Sequence, residues 1–339
     1  MSQRTPVNIA LVGLGNHGRT IQQSAVDTPD VKVVAVFDPN DEEASAAAHR
    51  FNCPQMASYE EILAMEHVEA VVLTTPNRLH RAQVEAAAAA GKHVLVEKPI
   101  ANTMEDGHAM RHVMESAGRK LMVGHNMRRN PAIRRAHALI REGRIGTPVS
   151  TEIHYSAPGG LFLAEGAWRL SPTECPLLPV MQLAIHGIDQ VQALYGNFAE
   201  VHAYSRAVVV KGGAVDQVSA VWRTHDGHHG TLTSNYCSSV QFTTRFTGTD
   251  GTLFTTPHRF SLTRREDTDG KGEGPAYEED YRDQDGHSFQ EQMQVFADHI
   301  RLDTPSETDA KTGLSALAVV EALFKSTQSG KPETVEVVE

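Results

Sequence analysis

An apolar run, Val7–Val12, breaks at Gly13, Gly15 and Gly18, and helix-forming sequence follows at once over residues 19–26. Few folds are open to a chain that begins this way. Strand, glycine turn and helix in direct succession start a βαβ unit, and the G-x-G-x-x-G spacing gives each glycine its own reason to lack a side chain. Gly13 takes the tight turn. Gly15 lets backbone approach a pyrophosphate, and Gly18 lets the helix lie against the strand. The helix start offers N–H groups and a positive dipole end to the phosphates. Leu14, Asn16 and His17 complete the turn. A second strand, Val31–Phe37, ends at Asp38, twenty residues after Gly18. That is where a dinucleotide-binding unit places an acid on the adenosine ribose. A purely structural βαβ unit explains the glycines but not the acid in register. With Pro39 and Asn40 following and no arginine, the site is expected to prefer NAD over NADP.

The alternation continues. Helical patterns at Asp41–Phe51, 59–65, 77–90 and 104–117 are interleaved with strands at 68–73, His93–Val96 and Leu121–Val123. Strand and helix signals in that rhythm predict a doubly wound parallel sheet, with ligands at the carboxyl ends of its strands. Three strand ends then matter: Thr74 to Asn77, Glu97 to Pro99, and Gly124 to Asn126. Beyond them the style changes. Helices are expected at 132–141, 180–195, 288–301 and 310–326. Strands are expected from Val149 onward, at 201–210, 217–223, 230–236, 240–247 and 334–338. Asp226-Gly227 and Asp250-Gly251 are tight-turn dipeptides. The charged, glycine-rich stretch 264–286 reads as a mobile loop. The predicted organisation is a dinucleotide-binding domain over 1–125. An α+β domain with an open, mostly antiparallel sheet follows over 126–339, for substrate binding and oligomerisation.

A net charge of −11, without a basic run, excludes a broad nucleic-acid surface. Cys53, Cys175 and Cys237 have neither metal spacing nor a disulfide framework, as in a reducing, cytoplasmic setting. No apolar stretch reaches the length of a membrane span.

Two residues stand out for chemistry. Lys98 closely follows an apolar strand and precedes Pro99, so its charge falls at the mouth of a nucleotide crevice. A solvated lysine at a strand end accounts for it equally well; a desolvated one positions a hydroxyl or titrates near neutrality. His186 shares a helical face with Gln182 and Asp189, and Asp189 at that spacing would orient the imidazole for proton transfer. A histidine satisfied in the core has the same pattern. His225, His228 and His229 straddle the Asp226-Gly227 turn and read as a hairpin rather than a metal site.

Together these residues resemble the Gfo/Idh/MocA oxidoreductases, a family that includes glucose–fructose oxidoreductase and inositol dehydrogenase. The matches are the glycine turn from Gly13 to Gly18, Thr75-Pro76-Asn77 with His80, and the run from Gly91 through Glu97-Lys98-Pro99. Gly124-His125-Asn126 with Arg128, Trp168-Arg169 and His186-Gly187-Ile188-Asp189 follow in order. The resemblance implies a nicotinamide-dependent Rossmann domain and a sugar, polyol or cyclitol substrate. It implies Lys98 and His186 as the catalytic pair, and the turn residues, Asp38, Thr75, Pro76, Asn77, His80, Glu97 and Lys98 as cofactor contacts. His125, Arg128, Tyr155, Trp168, Arg169, Gln182 and His186 would lie near the substrate. The family's assembly implies a homodimer or homotetramer. One departure stands out: Gln182 occupies the place of an acid one helical turn before His186. Glutamine can hydrogen-bond a hydroxyl but carries no charge.

The reaction expected is hydride transfer between nicotinamide and a secondary hydroxyl, with no metal. A non-catalytic dinucleotide sensor of the same fold and a sugar–sugar oxidoreductase with tightly held cofactor remain as alternatives.

Overall fold

Short, mostly apolar strands separated by helices bury both faces in a parallel sheet, and the first part of the chain does so. The computed structural model describes residues 5–211, 213–268 and 277–339. β1 (Val7–Val12), β2 (Val31–Phe37), β3 (Ala70–Leu73), β4 (His93–Val96) and β5 (Leu121–Val123) form a five-stranded sheet in the order β2-β1-β3-β4-β5. Every pair in it is parallel. The order reverses between β1 and β3, which makes the carboxyl ends of those strands the switch point where such sheets bind ligands.

The helices of this region are α1 (Asn16–Val26), α2 (Asp41–Phe51), α3 (Tyr59–Ala64), α4 (His80–Ala89) and α5 (Met104–Ser116). Their starts show a division of labour. Asn40, Ser58 and Thr103 cap α2, α3 and α5 with side-chain oxygens that accept from Glu42, Glu61 and Asp106 N–H. α1 begins at Gly15 with no side-chain cap and no acid in its first turn. Its end is thus left to whatever anion lies there.

The chain divides into two compact units, 1–126 with 286–314, and 127–285 with 315–339. The expected division near 125 leaves out this return. α8 (His287–Arg301) packs Met293, Phe296 and Ala297 into the core with Val7, Ile9 and Ile21. Arg301 donates to both Glu69 carboxylate oxygens at 2.7 Å, and Gln294 donates to Asp30 at 2.7 Å. Burial opposes ionisation of Glu69, yet its bonds to Arg301 hold it below the usual carboxylate range. Sequence periodicity marks α8 as amphipathic but not the sheet it covers.

The second unit contains α6 (Pro131–Arg141), with Pro131 in its first turn and Asn130 as cap, and α7 (Ile185–Tyr195). α9 (Ala310–Ser329) crosses the division between Leu314 and Ser315. Its nine-stranded sheet comprises β6 (Pro148–Ser156), β7 (Phe198–Arg206), β8 (Gln217–Thr224), β9 (His229–Asn235), β10 (Gln241–Gly248), β11 (Gly251–Thr255), β12 (Arg259–Arg264), β13 (Tyr277–Asp280) and β14 (Glu333–Thr334). The order is β13-β12-β11-β10-β6-β9-β8-β7-β14, antiparallel throughout except for β6 with β9.

Three details depart from expectation. Residues 277–280, expected in a mobile loop, form an edge strand on β12; 269–276 of that stretch lie outside the described residues. The last strand is Glu333–Thr334 only. The helix expected over 180–195 opens with a π-helical turn, Val180–Ala184, before α7 begins.

On β8, Val218, Ala220 and Trp222 are buried while Val221 is 55% exposed on the opposite face. Ile153 and Tyr155 of β6 lie so close to Gly187 of α7 that a methyl group there would collide with them. The helices therefore cover one face of the sheet and leave the other open.

Candidate active site

In the first unit the glycine turn is held by steric necessity at two positions and left open at a third. Gly13 has φ +87°, and a Cβ there would lie 2.9 Å from the Thr74 carbonyl carbon. A Cβ on Gly18 would run into the Gly13 carbonyl oxygen. At Gly15 a Cβ would meet nothing within 4 Å. The protein itself thus gives no packing reason for that glycine. A group lying against the turn does, and a pyrophosphate fits the gap. Leu14 N–H donates to Asp38 Oδ2 at 2.6 Å and Asn40 N–H to Oδ1 at 2.8 Å. The acid after β2 is therefore fastened to the turn after β1.

The ends of β3, β4 and β5 converge on the same edge. Glu97 lies 3.1 Å from His17 Nε2 in the glycine turn and accepts from Lys98 N–H at 3.2 Å. Burial works against its charge, but His17 and Lys98 outweigh that and hold the carboxyl below its usual range. Gly124 makes room for it: a Cβ at that position would fall 2.6 Å from a Glu97 oxygen. Sequence reading placed Glu97 with the cofactor but missed its pairing with His17, which joins residues 80 positions apart. Lys98 is half-buried beside it, ahead of a cis peptide bond to Pro99.

Two residues expected at ligands are interior. His80 is fully buried, with Nδ1 3.1 Å from Ile100 O and Nε2 3.0 Å from Thr75 O. Burial pushes its imidazolium form down, against the two carbonyls. It ties the loop after β3 to the loop after β4 and so positions Thr75 and Pro76. His125 is likewise fully buried, and neighbouring Asn126 donates to Ser288 Oγ at 3.0 Å. Asn77 is buried, whereas Thr75 and Pro76 are half-buried.

In the second unit, α7 and the π-helical turn before it carry the residues of interest. Between Met181 and Val191 only Gln182, Leu183 and His186 are not buried, so Gln182 and His186 lie on one accessible stripe. Ser234 Oγ donates to Pro179 O at 3.0 Å and to Tyr155 O at 2.8 Å, which anchors the start of the turn on the sheet.

Asp189 meets Arg128. Arg128 Nε donates to its Oδ2 at 2.9 Å and Nη2 to its Oδ1 at 2.5 Å. Asp189 is 1% exposed. Its carboxylate accepts from Arg128 on both oxygens. Tyr155 is also interior, its hydroxyl accepting from Gln190 Nε2 at 3.0 Å and its ring against Phe242. Burial lifts that phenol to about 12. Trp168 and Arg169, on a helical turn at Trp168–Leu170, stay half-buried. Arg169 Cζ stands 4.5 Å from the Trp168 ring centroid, and its Nε donates to Gln182 Oε1 at 3.0 Å. Gln182 Nε2 lies 3.7 Å from Cys175 Sγ. Side-chain pairing across thirteen residues left no periodic signal in the sequence.

The histidines near Asp226-Gly227 follow the expected hairpin between β8 and β9. His228 Nε2 meets Thr151 Oγ1 at 2.9 Å, and its ring lies tilted against Tyr195 with centroids 4.0 Å apart.

Comparison with known proteins follows this geometry. Residues 7–125 match the oxidoreductase family with an NAD-binding Rossmann fold, and residues 133–254 match the GFO/IDH/MocA C-terminal domain. The chain is 31% identical to 1,5-anhydro-D-fructose reductase of Ensifer adhaerens over 64% of its own length and 66% of that protein's. It is 26% identical to D-xylose 1-dehydrogenase [NADP(+)] of Haloarcula marismortui over 96% of this chain and 92% of the other. A crystal structure described as a putative NADPH-dependent oxidoreductase from Desulfitobacterium hafniense superposes with a TM-score of 0.89. It is 27% identical and covers 98% of each chain.

Proposed function

Since the chain belongs to the Gfo/Idh/MocA oxidoreductase family, we propose that it transfers hydride between NAD and a secondary hydroxyl of a sugar, cyclitol or sugar derivative. The observation that carries this reading is the open space beside Gly15, with Asp38 fastened to the turn that borders it. Relatives named for anhydrofructose and xylose support a carbohydrate substrate.

Gly13 to Gly18 and the free start of α1 hold the dinucleotide's phosphates. Asp38 accepts from the adenosine ribose and, with Asp41, Glu42 and Glu43 following in α2, repels a 2′-phosphate. Bound there, the nicotinamide supplies the hydride chemistry. Lys98 hydrogen-bonds the reacting oxygen and stabilises charge that develops on it. Glu97 accepts from the Lys98 backbone N–H at 3.2 Å and holds the strand end in place. His186 takes the hydroxyl proton as general base during oxidation.

The open face of the nine-stranded sheet supports a homodimer or homotetramer. Tyr204 (67% exposed) and Val221 (55%) stand on it beside a groove of about 510 Å³ that includes Glu152, His202 and Thr231. An open face with exposed Tyr204 and Val221 set among charged residues such as Glu200 and Arg223 suits a partner subunit. Among the described residues no helix is long and apolar enough to cross a membrane.

The direct test is turnover of a panel of aldoses, polyols and cyclitols with NAD and with NADP, together with the absorbance of the purified protein for retained cofactor. Reduction of NAD by at least one member is expected. Cofactor binding without turnover of any member would leave a sensor of the same fold.

A further inference from the structure

The second unit holds two arginines that differ in one respect. Arg128 meets a buried carboxylate on both of its bonding edges. Arg169 meets an amide: its Nε donates to Gln182 Oε1 at 3.0 Å. No ion pair among the described residues includes Arg169, and none of the protons on Nη1 and Nη2 has an acceptor among them. An amide oxygen accepts a hydrogen bond without lending a charge, so the guanidinium keeps its full positive charge. Its other neighbours do not offset it. Cys175 Sγ lies against the far side of Gln182. Tyr236 is near enough for the Arg169 charge to act on its hydroxyl, but burial keeps that phenol above its usual range and so protonated.

The side chain is also held in place. Its guanidinium lies over the Trp168 ring and its Nε is bonded to Gln182, so two contacts restrain it. Four N–H donors are left directed away from Nε in a rigid fork, the arrangement that meets a carboxylate with two parallel bonds. Gln182 stands four residues before His186 on the same accessible stripe. The charge therefore lies beside the group assigned as base.

We propose that Arg169 selects a carboxylate on the substrate, so that the enzyme acts on polyhydroxy acids, such as uronic or aldonic acids, in preference to neutral sugars. The inference rests on the oxidoreductase reading and narrows its substrate. Gln182 is the residue that makes it so. A carboxylate at 182 would pair with Arg169 and use up the charge; the amide orients the guanidinium and leaves the charge for the ligand. Arg169 touches the substrate at a group remote from the reacting carbon, and Gln182 is a positioning residue that acts through Arg169.

The test compares matched substrates, galacturonate against galactose and gluconate against glucitol, with NAD near neutral pH. In the wild-type protein the acid is expected to have a kcat/KM at least about tenfold above that of its neutral partner, the scale of one charge-assisted hydrogen-bonded pair. Added salt should shrink that ratio. Arg169→Met and Gln182→Asp should each bring it down about tenfold. A general packing role for either side chain would instead lower both substrates together. A wild-type ratio near one, or a ratio that neither substitution moves, overturns the proposal while leaving the oxidoreductase reading intact.

If neither these compounds nor any member of the wider panel is turned over, the oxidoreductase reading fails, and binding then decides the charge proposal by itself. The chain has two tryptophans, and Trp222→Phe leaves Trp168 as the fluorophore beside Arg169. With NADH present, saturable quenching by galacturonate but not galactose, abolished by Arg169→Met, upholds carboxylate selection. No response to either compound, or the same response to both, overturns it.

Discussion

The glycine turn of the first unit and the approach to α7 in the second hold their functional groups by different means. In the first, backbone does most of the holding. Asp38 is fixed by the N–H groups of Leu14 and Asn40, and Glu97 by Lys98 N–H in a space that Gly124 leaves open. In the second, side chains hold side chains: Arg128 holds Asp189, Gln182 holds Arg169, and Gln190 holds Tyr155. Backbone donors persist through most substitutions, so the first arrangement admits little variation in chemistry. Side-chain pairs can be exchanged one residue at a time. The difference teaches where specificity can drift: a cofactor site built on backbone stays put while a substrate site built on pairs is retuned.

The largest effect expected separates the two arginines. Arg128→Met leaves the Asp189 carboxylate charged and buried, an uncompensated charge that costs about 3–5 kcal/mol. Arg169→Met removes a half-buried group from a neutral amide and should cost about 1 kcal/mol or less. Urea unfolding of each variant measures both. Equal losses would mean that Arg169 is paired as tightly as Arg128, and the contrast between them would be lost.

Next in size are the catalytic assignments, one from each unit. Lys98→Met should lower turnover about a hundredfold or more, the scale of a lost oxyanion donor. His186→Asn should do the same and abolish the rise of kcat/KM with pH, as for a lost general base. NAD affinity should stay within about threefold in both, because the phosphates and ribose are held elsewhere. Turnover within about threefold of wild type in Lys98→Met would reduce that residue to a strand terminus.

The same contrast governs what could be read without coordinates. The glycines, the strand before them and Asp38 are legible because each depends on local spacing within one βαβ unit. Lys98 is legible as a charge at the end of an apolar strand. Asp189 shows what spacing leaves out: it says which residues share a face, but not that Arg128, sixty-one residues away, meets the carboxylate. His80 and Tyr155 were placed at ligands by resemblance, whereas their ring nitrogens and hydroxyl are occupied by the protein's own groups. α8 looked like part of the second domain because sequence order carries no record of a chain that returns. β11 and β12 escaped because they are short and rich in threonine and serine beside the Asp250-Gly251 turn, and β13 because it lies in a charged, glycine-rich stretch.

Cofactor choice tests the backbone side of the comparison at a smaller scale. The wild-type protein should bind NAD at least about tenfold more tightly than NADP, on the order of 1.4 kcal/mol. Asp38→Ser should erase most of that preference, chiefly by weakening NAD, since the lost carboxylate also releases Leu14 and Asn40 N–H. Fluorescence titration with both reduced cofactors reads it. Equal binding of the two by the wild-type protein would show that the acid after β2 does not face the ribose.

The smallest effect expected is the most informative about the side-chain half. During oxidation His186 must be neutral to take a proton, so kcat/KM rises as pH climbs through its titration and then levels off. A carboxylate placed near the imidazole stabilises the protonated form and moves that rise to higher pH. Gln182→Asp introduces such a carboxylate on the stripe that His186 shares. In this fold, however, position 182 already receives Arg169 Nε at 3.0 Å. The new acid would pair there, and the guanidinium would cancel most of its field at the imidazole. The rise should therefore move upward by less than about half a pH unit. In Arg169→Met/Gln182→Asp, where the cancelling charge is gone, it should move up by about one unit. An upward shift of a full unit in Gln182→Asp alone would mean that the side chain at 182 serves the imidazole and not the arginine. A shift to lower pH in the double variant would remove position 182 from the surroundings of His186 altogether.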